Sequence, residues 1–91
     1  MTGGRYRLEL TRAARRDLAA LPAKVLKRVD ARILALADDP YPRAATKLEG
    51  ARGFLRVRVG DYRILYTVEA DRLVVLVVRI GHRREIYRGL P

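Results

Sequence analysis

Residues Phe54 to Tyr66 read FLRVRVGDYRILY and carry the clearest structural pattern in the chain. In its first half apolar and arginine side chains alternate strictly, which is the pattern of a strand with one buried and one exposed face. Gly60 and Asp61 then form a two-residue turn signal, because glycine supplies the positive φ that tight hairpin turns require. The stretch therefore predicts a β-hairpin with Arg56 and Arg58 on the exposed face of its first strand.

The predicted turn determines which residues face one another across the two strands. With Gly60 and Asp61 as the loop, Arg58 lies directly opposite Arg63, and Arg56 lies diagonal to Arg63. Like charges that are directly opposed across strands destabilise a sheet. We therefore interpret this arginine face as a binding surface for an anion, against the alternative that the arginines are ordinary solvated strand residues.

The whole chain is strongly basic. It carries 20 lysines and arginines against 10 aspartates and glutamates, a formal net charge of +10. Such a balance favours a polyanionic partner such as nucleic acid. The planar fork of arginine suits bidentate contact with phosphate. With 91 residues, the chain is predicted to form one domain over residues 1–91, with residues 1–4 flexible.

Several classes of protein are excluded by what the sequence lacks. There is no cysteine, which rules out disulfides and thiolate metal sites. His82 is the single histidine and has no close acidic triad, so neither a metal site nor a cofactor is predicted. The apolar run at Leu73–Val78 is too short to span a membrane, and no signal peptide is visible. We predict a soluble cytoplasmic protein with no membrane partner.

Two helices are predicted before the hairpin. The alternating segment 6–10 indicates a first strand, and Thr11 has the side chain of a helix N-cap. A short helix is predicted from about Arg12 to Leu21. Pro22 suits the first turn of a second helix, which an apolar stripe at helical spacing extends to about Asp38.

The rest of the chain supplies a connector, a last strand and a tail. Segment 41–53 has no clear period and is predicted to be a connector. The unbroken β-branched run at Leu73–Val78 predicts a strand covered on both faces, followed by a turn that begins at Gly81. The predicted fold is α+β in the order β-α-α-β-β-β with a short C-terminal tail. Its helical hairpin packs on a mostly antiparallel sheet.

Three motifs and this order of elements resemble one protein family. The motifs are KLEG at Lys47–Gly50, GDYRILY at Gly60–Tyr66 and GHRREIYR at Gly81–Arg88. They resemble the RelE/ParE toxins of type II toxin–antitoxin modules, in the RelE-like branch, and the resemblance covers the chain from Tyr6 to Arg88. It implies an endoribonuclease that cleaves mRNA in the ribosomal decoding site. It also implies a RelB-like antitoxin that wraps the toxin in a hetero-oligomeric complex.

The resemblance further implies roles for individual residues. Arg56 and Arg58 match basic strand positions where the family often has lysines, a departure that keeps phosphate binding but makes proton donation harder. Arg63 and Arg83 match arginines that would stabilise the charge growing on phosphorus during attack by the 2′-OH. Tyr87 matches a tyrosine that would stack on a splayed base or act as a general base, against the alternative that it caps the core.

The predicted catalytic residues are therefore Arg63, Arg83 and Tyr87. The predicted RNA-binding residues are Arg56, Arg58, Lys47, His82 and Arg84. His82 is also a secondary acid–base candidate because the ordinary pKa of histidine lies near neutrality, although a lone histidine in a turn is more often structural.

Two other functions are compatible with the same residues. A ParE-like toxin would inhibit DNA gyrase without catalysis on the same scaffold. The compact helical hairpin and the set formed by Arg58, Arg63, Arg83 and Tyr87 favour the RelE branch, since the resemblance gives the gyrase-directed branch longer helices and no such set. A non-catalytic RNA-binding or ribosome-binding module also fits, because cations and an aromatic ring describe a binding site equally well.

Overall fold

The computed structural model describes residues 5–48, 50 and 52–82. Two helices and five strands follow one another along this part of the chain. They are β1 (Arg7–Leu10), α1 (Arg12–Ala19), α2 (Ala23–Asp38), β2 (Thr46–Lys47), β3 (Leu55–Val59), β4 (Tyr62–Glu69) and β5 (Val74–His82). None of the helices in the described residues has the length and apolar character needed to cross a membrane.

Helix α1 begins where the sequence predicts but ends early, and α2 begins at Ala23 with Pro22 as its N-cap rather than in its first turn. The Thr11 hydroxyl accepts a hydrogen bond from the Ala14 N–H at 3.0 Å, which caps the first turn of α1. Helix α1 ends at Ala19 rather than at the predicted Leu21. The next two amides, including that of Leu21, bond to carbonyls three residues back, which is the tightened final turn common at helix ends. The prediction missed it because apolar spacing continues through Leu21.

The five strands form one mixed sheet in the order β1-β5-β4-β3-β2. Only β1 and β5 are parallel, and the other neighbours are antiparallel. The predicted α+β fold with a mostly antiparallel sheet is confirmed. The predicted connector 41–53 is wrong in one respect, because it contains β2, whose Thr46 and Lys47 pair with β3. Two residues are too few to produce a periodic pattern, so this strand has no sequence signal.

Strand β5 contains a β-bulge, after which its side chains point to the opposite faces of the sheet. Leu65 pairs with Arg79 and Tyr66 with Val77, so Val78 has no opposite residue on β4. The Thr11 hydroxyl donates to the Val78 carbonyl at 2.7 Å and so provides this peptide with a partner. The extra residue shifts the alternation by one position, which allows apolar side chains both before and after the bulge to face the helices.

The core lies between the two helices and one face of the sheet. Its fully or nearly fully buried members are Ala14, Val29, Ile33, Leu36, Val57, Val59, Ile64, Tyr66, Val75, Val77 and Ile80. Tyr66 is a core residue, and its hydroxyl donates to the Pro40 carbonyl at 2.8 Å. Burial, assisted by the nearby Asp39 and Tyr41, raises the pKa of Tyr66 to about 12. This hydrogen bond anchors the chain just after α2 to the middle of the sheet.

Candidate nucleic-acid interface

The β3–β4 hairpin has the register that its sequence predicts. Gly60 and Asp61 form the loop, so Val59 pairs with Tyr62 and Arg58 pairs with Arg63. Gly60 has a φ of 61°, the left-handed conformation that a type II′ hairpin turn requires at its first central residue. The local chemistry of the turn therefore brings two arginines directly opposite each other.

The Arg58–Arg63 pair lies on the sheet face that does not carry the helices. The neighbours Val57, Val59 and Ile64 belong to the helix-covered core, and strand side chains alternate between faces. Arg58 is exposed and Arg63 half-buried. The Nε of Arg63 is fully buried and has no hydrogen-bond partner among the described residues. An unmatched buried donor is rare and costly, which marks this position as one that folding alone does not explain.

A cavity of about 360 Å³ is lined by this pair together with Asp61 and His82. His82 is the last residue of β5 and pairs with Tyr62. The prediction of a turn beginning at Gly81 is therefore wrong, because Gly81 and His82 continue the strand.

The ring of His82 packs edge-on against that of Tyr62, with 5.2 Å between ring centroids and an interplanar angle of 73°. This contact orients the imidazole beside the arginine pair. Among the predicted site residues, the structure therefore brings together Arg58, Arg63 and His82. Asp61 was not predicted, since its identity indicated only a turn.

The other predicted residues are distributed differently. Arg56 lies diagonal to Arg63 on the same face, as expected from its pairing with Leu65. Lys47 lies on the edge strand β2 and lines a separate cavity of about 410 Å³ together with Arg52 and Phe54. Lys47 is therefore not part of the arginine-pair cavity.

Three of the predicted residues, Arg83, Arg84 and Tyr87, lie outside the described residues. No group of three or more histidine, aspartate or glutamate side chains between Arg5 and His82, leaving aside positions 49 and 51, is arranged to hold a metal ion.

An ion pair that the sequence does not predict holds the end of β5 in place. The Asp17 carboxylate on α1 accepts hydrogen bonds from Arg79 Nε at 2.7 Å and Nη2 at 3.3 Å. It also accepts one from the Ile80 N–H at 3.0 Å. The hydrogen bond and charge of Asp17 raise the pKa of Arg79 further above its usual value, despite opposing desolvation. These contacts anchor β5 two residues before His82.

The chain matches one family model over residues 8–87, described as the ParE toxin of type II toxin–antitoxin system, parDE. It is 32% identical over 84 residues to Toxin RelG of Mycobacterium tuberculosis, covering 91% of this chain and 97% of the relative. It is 28% identical over 88 residues to Putative toxin RelE1 of Methanocaldococcus jannaschii, covering 93% and 98%.

Two solved complexes contain chains of the same fold. The toxin–antitoxin complex RelBE2 from Mycobacterium tuberculosis matches with a TM-score of 0.76 and 32% identity, over 86% of this chain and 98% of the other. The archaeal RelE–RelB complex from Pyrococcus horikoshii matches with a TM-score of 0.76 and 29% identity, over 93% and 99%. Each of these matches spans most of both chains.

Proposed function

Because the chain belongs to the ParE toxin family of type II toxin–antitoxin systems and is a toxin of the RelE type, we propose that it is a ribosome-dependent endoribonuclease. Its substrate is mRNA in the decoding site of the ribosome. The observation that supports this proposal most strongly is the directly opposed Arg58–Arg63 pair beside His82 in one cavity.

The reaction is attack by a ribose 2′-OH on the adjacent phosphorus, with departure of the 5′-oxygen. As the bond to phosphorus forms, negative charge grows on the phosphoryl oxygens. Fixed cations that point at this charge lower the activation barrier and need not reorganise during the reaction. Such electrostatic stabilisation is usually the largest single contribution to catalysis. Arg63 takes this role together with Arg83. Tyr87 stacks on the displaced base or accepts the proton of the 2′-OH.

The remaining predicted residues hold RNA around the cleaved bond. Arg56 and Arg58 bind flanking phosphates from the exposed face of β3. His82, oriented by Tyr62, contacts the RNA at the cavity and is the secondary candidate for proton transfer. Lys47 and Arg84 bind phosphates further along the message. Because Lys47 lines another cavity, its contact is with a nucleotide away from the scissile bond.

The partners follow from the same proposal. A RelB-like antitoxin binds the toxin in a hetero-oligomer and covers its basic surface, a proposal supported by the solved RelE–RelB complex of a relative. With a net charge of +10, an uncovered surface would bind nucleic acid unspecifically and with steep salt dependence. Since its targets are the ribosome and mRNA, the toxin acts in the cytoplasm.

Inhibition of DNA gyrase is the second candidate function, because the matching family model describes ParE toxins. That activity would need no arginine pair and no RNA. It is less well supported here, since α1 has 8 residues and α2 has 16, a compact helical hairpin of the kind that favoured the RelE branch on sequence.

The deciding experiment is inducible expression in a bacterial host, with growth curves and primer extension on a translated reporter message. Wild type is compared with Arg63→Gln and Arg83→Ala. Arg7→Gln, on the edge strand β1 away from the hairpin, is the control. We expect growth arrest and new cleavages within the reading frame for wild type and the control only. Arrest with intact messages and a DNA-damage response would replace the proposal with gyrase inhibition.

A further inference from the structure

A second cavity lies beside the hairpin, between α2 and the end of β3. It has a volume of about 400 Å³, and its lining includes Arg28 and Arg32 from α2 and Arg58 and Gly60 from the hairpin. We call it the α2–hairpin cleft. Arg58 lines both this cleft and the arginine-pair cavity. It can do so because β2 pairs only as far as Arg56, so within the described residues the following part of β3 has no strand on that side.

The charges that line the cleft are all positive. Arg28 and Arg32 are one helical turn apart and therefore lie on the same side of α2. None of the described residues that line the cleft is acidic. Within the described part of the chain, the side chains of Arg28, Arg32 and Arg58 form no ion pair or hydrogen bond. Like charges at this helical spacing destabilise the isolated helix, so the arrangement adds nothing to folding.

The turn glycine helps to place one of these cations. A Cβ atom at Gly60 would lie 3.4 Å from both Nη1 and Nη2 of Arg28, so the guanidinium rests against the bare backbone of the turn. The lining on the facing side of α2 includes the small residues Ala31 and Ala35, which keep the cleft open. Arg28, Arg32 and Arg58 are all exposed, so the cleft is a shallow, open surface in which the Arg28 guanidinium is held against the turn.

We infer that the α2–hairpin cleft is a second RNA-binding site that holds a backbone phosphodiester through Arg28 and Arg32. The inference rests on the proposed function in taking RNA as the polyanion. Guanidinium groups bind phosphate oxygens in bidentate fashion. RNA that occupies the arginine-pair cavity reaches the cleft by passing Arg58 at the hairpin edge. The phosphate belongs either to the message itself or to ribosomal RNA beside it.

RNA fits this lining better than an acidic peptide does. A peptide that binds a groove usually inserts apolar side chains between its polar contacts. Among the described residues, the apolar lining here consists of two alanines and Val59. Phosphodiesters need only the cations, and their repeated charge matches cations spread over two adjoining cavities.

The test measures binding separately from cleavage. Purified toxin is titrated against a fluorescent 2′-O-methyl oligoribonucleotide, which lacks the attacking hydroxyl, at salt concentrations from about 50 to about 200 mM. Arg28→Gln and Arg32→Gln are each expected to weaken binding several-fold. Each should also reduce the slope of log affinity against log salt by about 0.7, the value for one lost single-strand phosphate contact.

Matched variants control for folding and for general charge. Arg16→Gln removes an exposed arginine on α1 and is expected to change the oligonucleotide slope much less. Arg28→Lys keeps the charge and is expected to keep the slope. Thermal melts establish that all four variants are folded, so a change in slope reports on the cleft.

A second arm distinguishes the two sources of the phosphate. Binding is repeated with ribosomes whose decoding site holds no message. Loss of affinity for the oligonucleotide assigns the cleft to the message, whereas loss for empty ribosomes alone assigns it to ribosomal RNA. Slopes equal to wild type in both arms would overturn the inference, and so would a selective loss of antitoxin binding. Because the probe cannot be cleaved, loss of binding would support the cleft even if the wild-type protein proved not to be a nuclease.

Discussion

Arg58 and Arg63 lie directly opposite each other on β3 and β4, on the sheet face that the helices leave uncovered. Opposed like charges destabilise a sheet, and within the described residues the buried Nε of Arg63 has no hydrogen-bond partner. Functional sites commonly keep residues that lower stability. The pair therefore lowers stability while placing two cations where they could bind an anion.

The first prediction is that Arg63→Gln makes the toxin more stable and less active. Urea unfolding should show a free energy of unfolding higher by about 0.5–1 kcal/mol, because the repulsion is relieved. Message cleavage on ribosomes should fall about 100-fold to 1,000-fold, the usual effect of removing one charge-stabilising group. Arg7→Gln is the control and should alter neither measurement much. Lower stability in Arg63→Gln would show that the pair has a structural role.

The second prediction concerns two ion pairs of equal length. Arg79–Asp17 and Arg72–Glu69 both have a closest distance of 2.7 Å. Asp17 is only 18% exposed, whereas Glu69 is 39% exposed. Asp17→Ala should lower the free energy of unfolding by about 1.5–3 kcal/mol, because it also leaves the Ile80 amide unpaired.

The controls separate charge from hydrogen bonding in this pair. Glu69→Ala should cost less than about 1 kcal/mol, since exposed pairs contribute little. Asp17→Asn keeps an acceptor for the Ile80 amide and should fall between the two. Urea denaturation of the three variants measures the differences, and equal losses for Asp17→Ala and Glu69→Ala would contradict the role of burial.

The third prediction is a loss of stability at alkaline pH that depends on Tyr66. Its pKa is raised from 10.0 to about 12 in the folded protein, so the folded state holds the phenolic proton more tightly than the unfolded state. This tighter proton binding stabilises the folded protein fully below pH 10. The stabilisation is lost as the pH rises towards 12, at up to about 1.4 kcal/mol per pH unit. Absorbance titration should show a late tyrosine ionisation near pH 12 that belongs to Tyr66.

Removal of the Tyr66 hydroxyl tests the same contact at neutral pH. Tyr66→Phe should lower the free energy of unfolding by about 1–3 kcal/mol, because the buried Pro40 carbonyl loses its donor. It should also abolish the late tyrosine ionisation. Tyr41→Phe, at a residue that is 56% exposed, should leave neutral-pH stability unchanged. A comparable loss in Tyr41→Phe would argue against this explanation.

The fourth prediction concerns the turn between β4 and β5. Leu73 has a φ of 54°, a left-handed conformation that costs a side chain with a Cβ about 1–2 kcal/mol. Its side chain is 42% exposed, so little packing would be lost on replacement. Leu73→Gly should therefore raise the melting temperature, whereas Leu73→Val, with a β-branched side chain, should lower it. A lower melting temperature for Leu73→Gly would show that the partial burial of Leu73 outweighs its backbone strain.

Local chemistry was sufficient to predict the hairpin and therefore the centre of the candidate site. The alternation of FLRVRV and the Gly60–Asp61 turn involve neighbours in sequence, so the Arg58–Arg63 pairing follows from them and is observed. The extension of β5 to His82 was missed, because Gly81 suggests a turn when read locally. Pairing with Arg63 and Tyr62 on β4 overrides that preference.

Local sequence patterns are enough to predict the two helices, the arginine face and the α+β class, because each depends on periodicity or on a turn over a few residues. The bulge at Val78, the Asp17–Arg79 pair and the α2–hairpin cleft arise only when the elements pack together. The bulge lies next to an unbroken apolar run that has no period to interrupt. Asp17 and Arg79 are 62 residues apart, and Arg28 meets Gly60 only when α2 packs on the sheet. Contacts between such distant residues depend on the packing of whole elements, which no local pattern records.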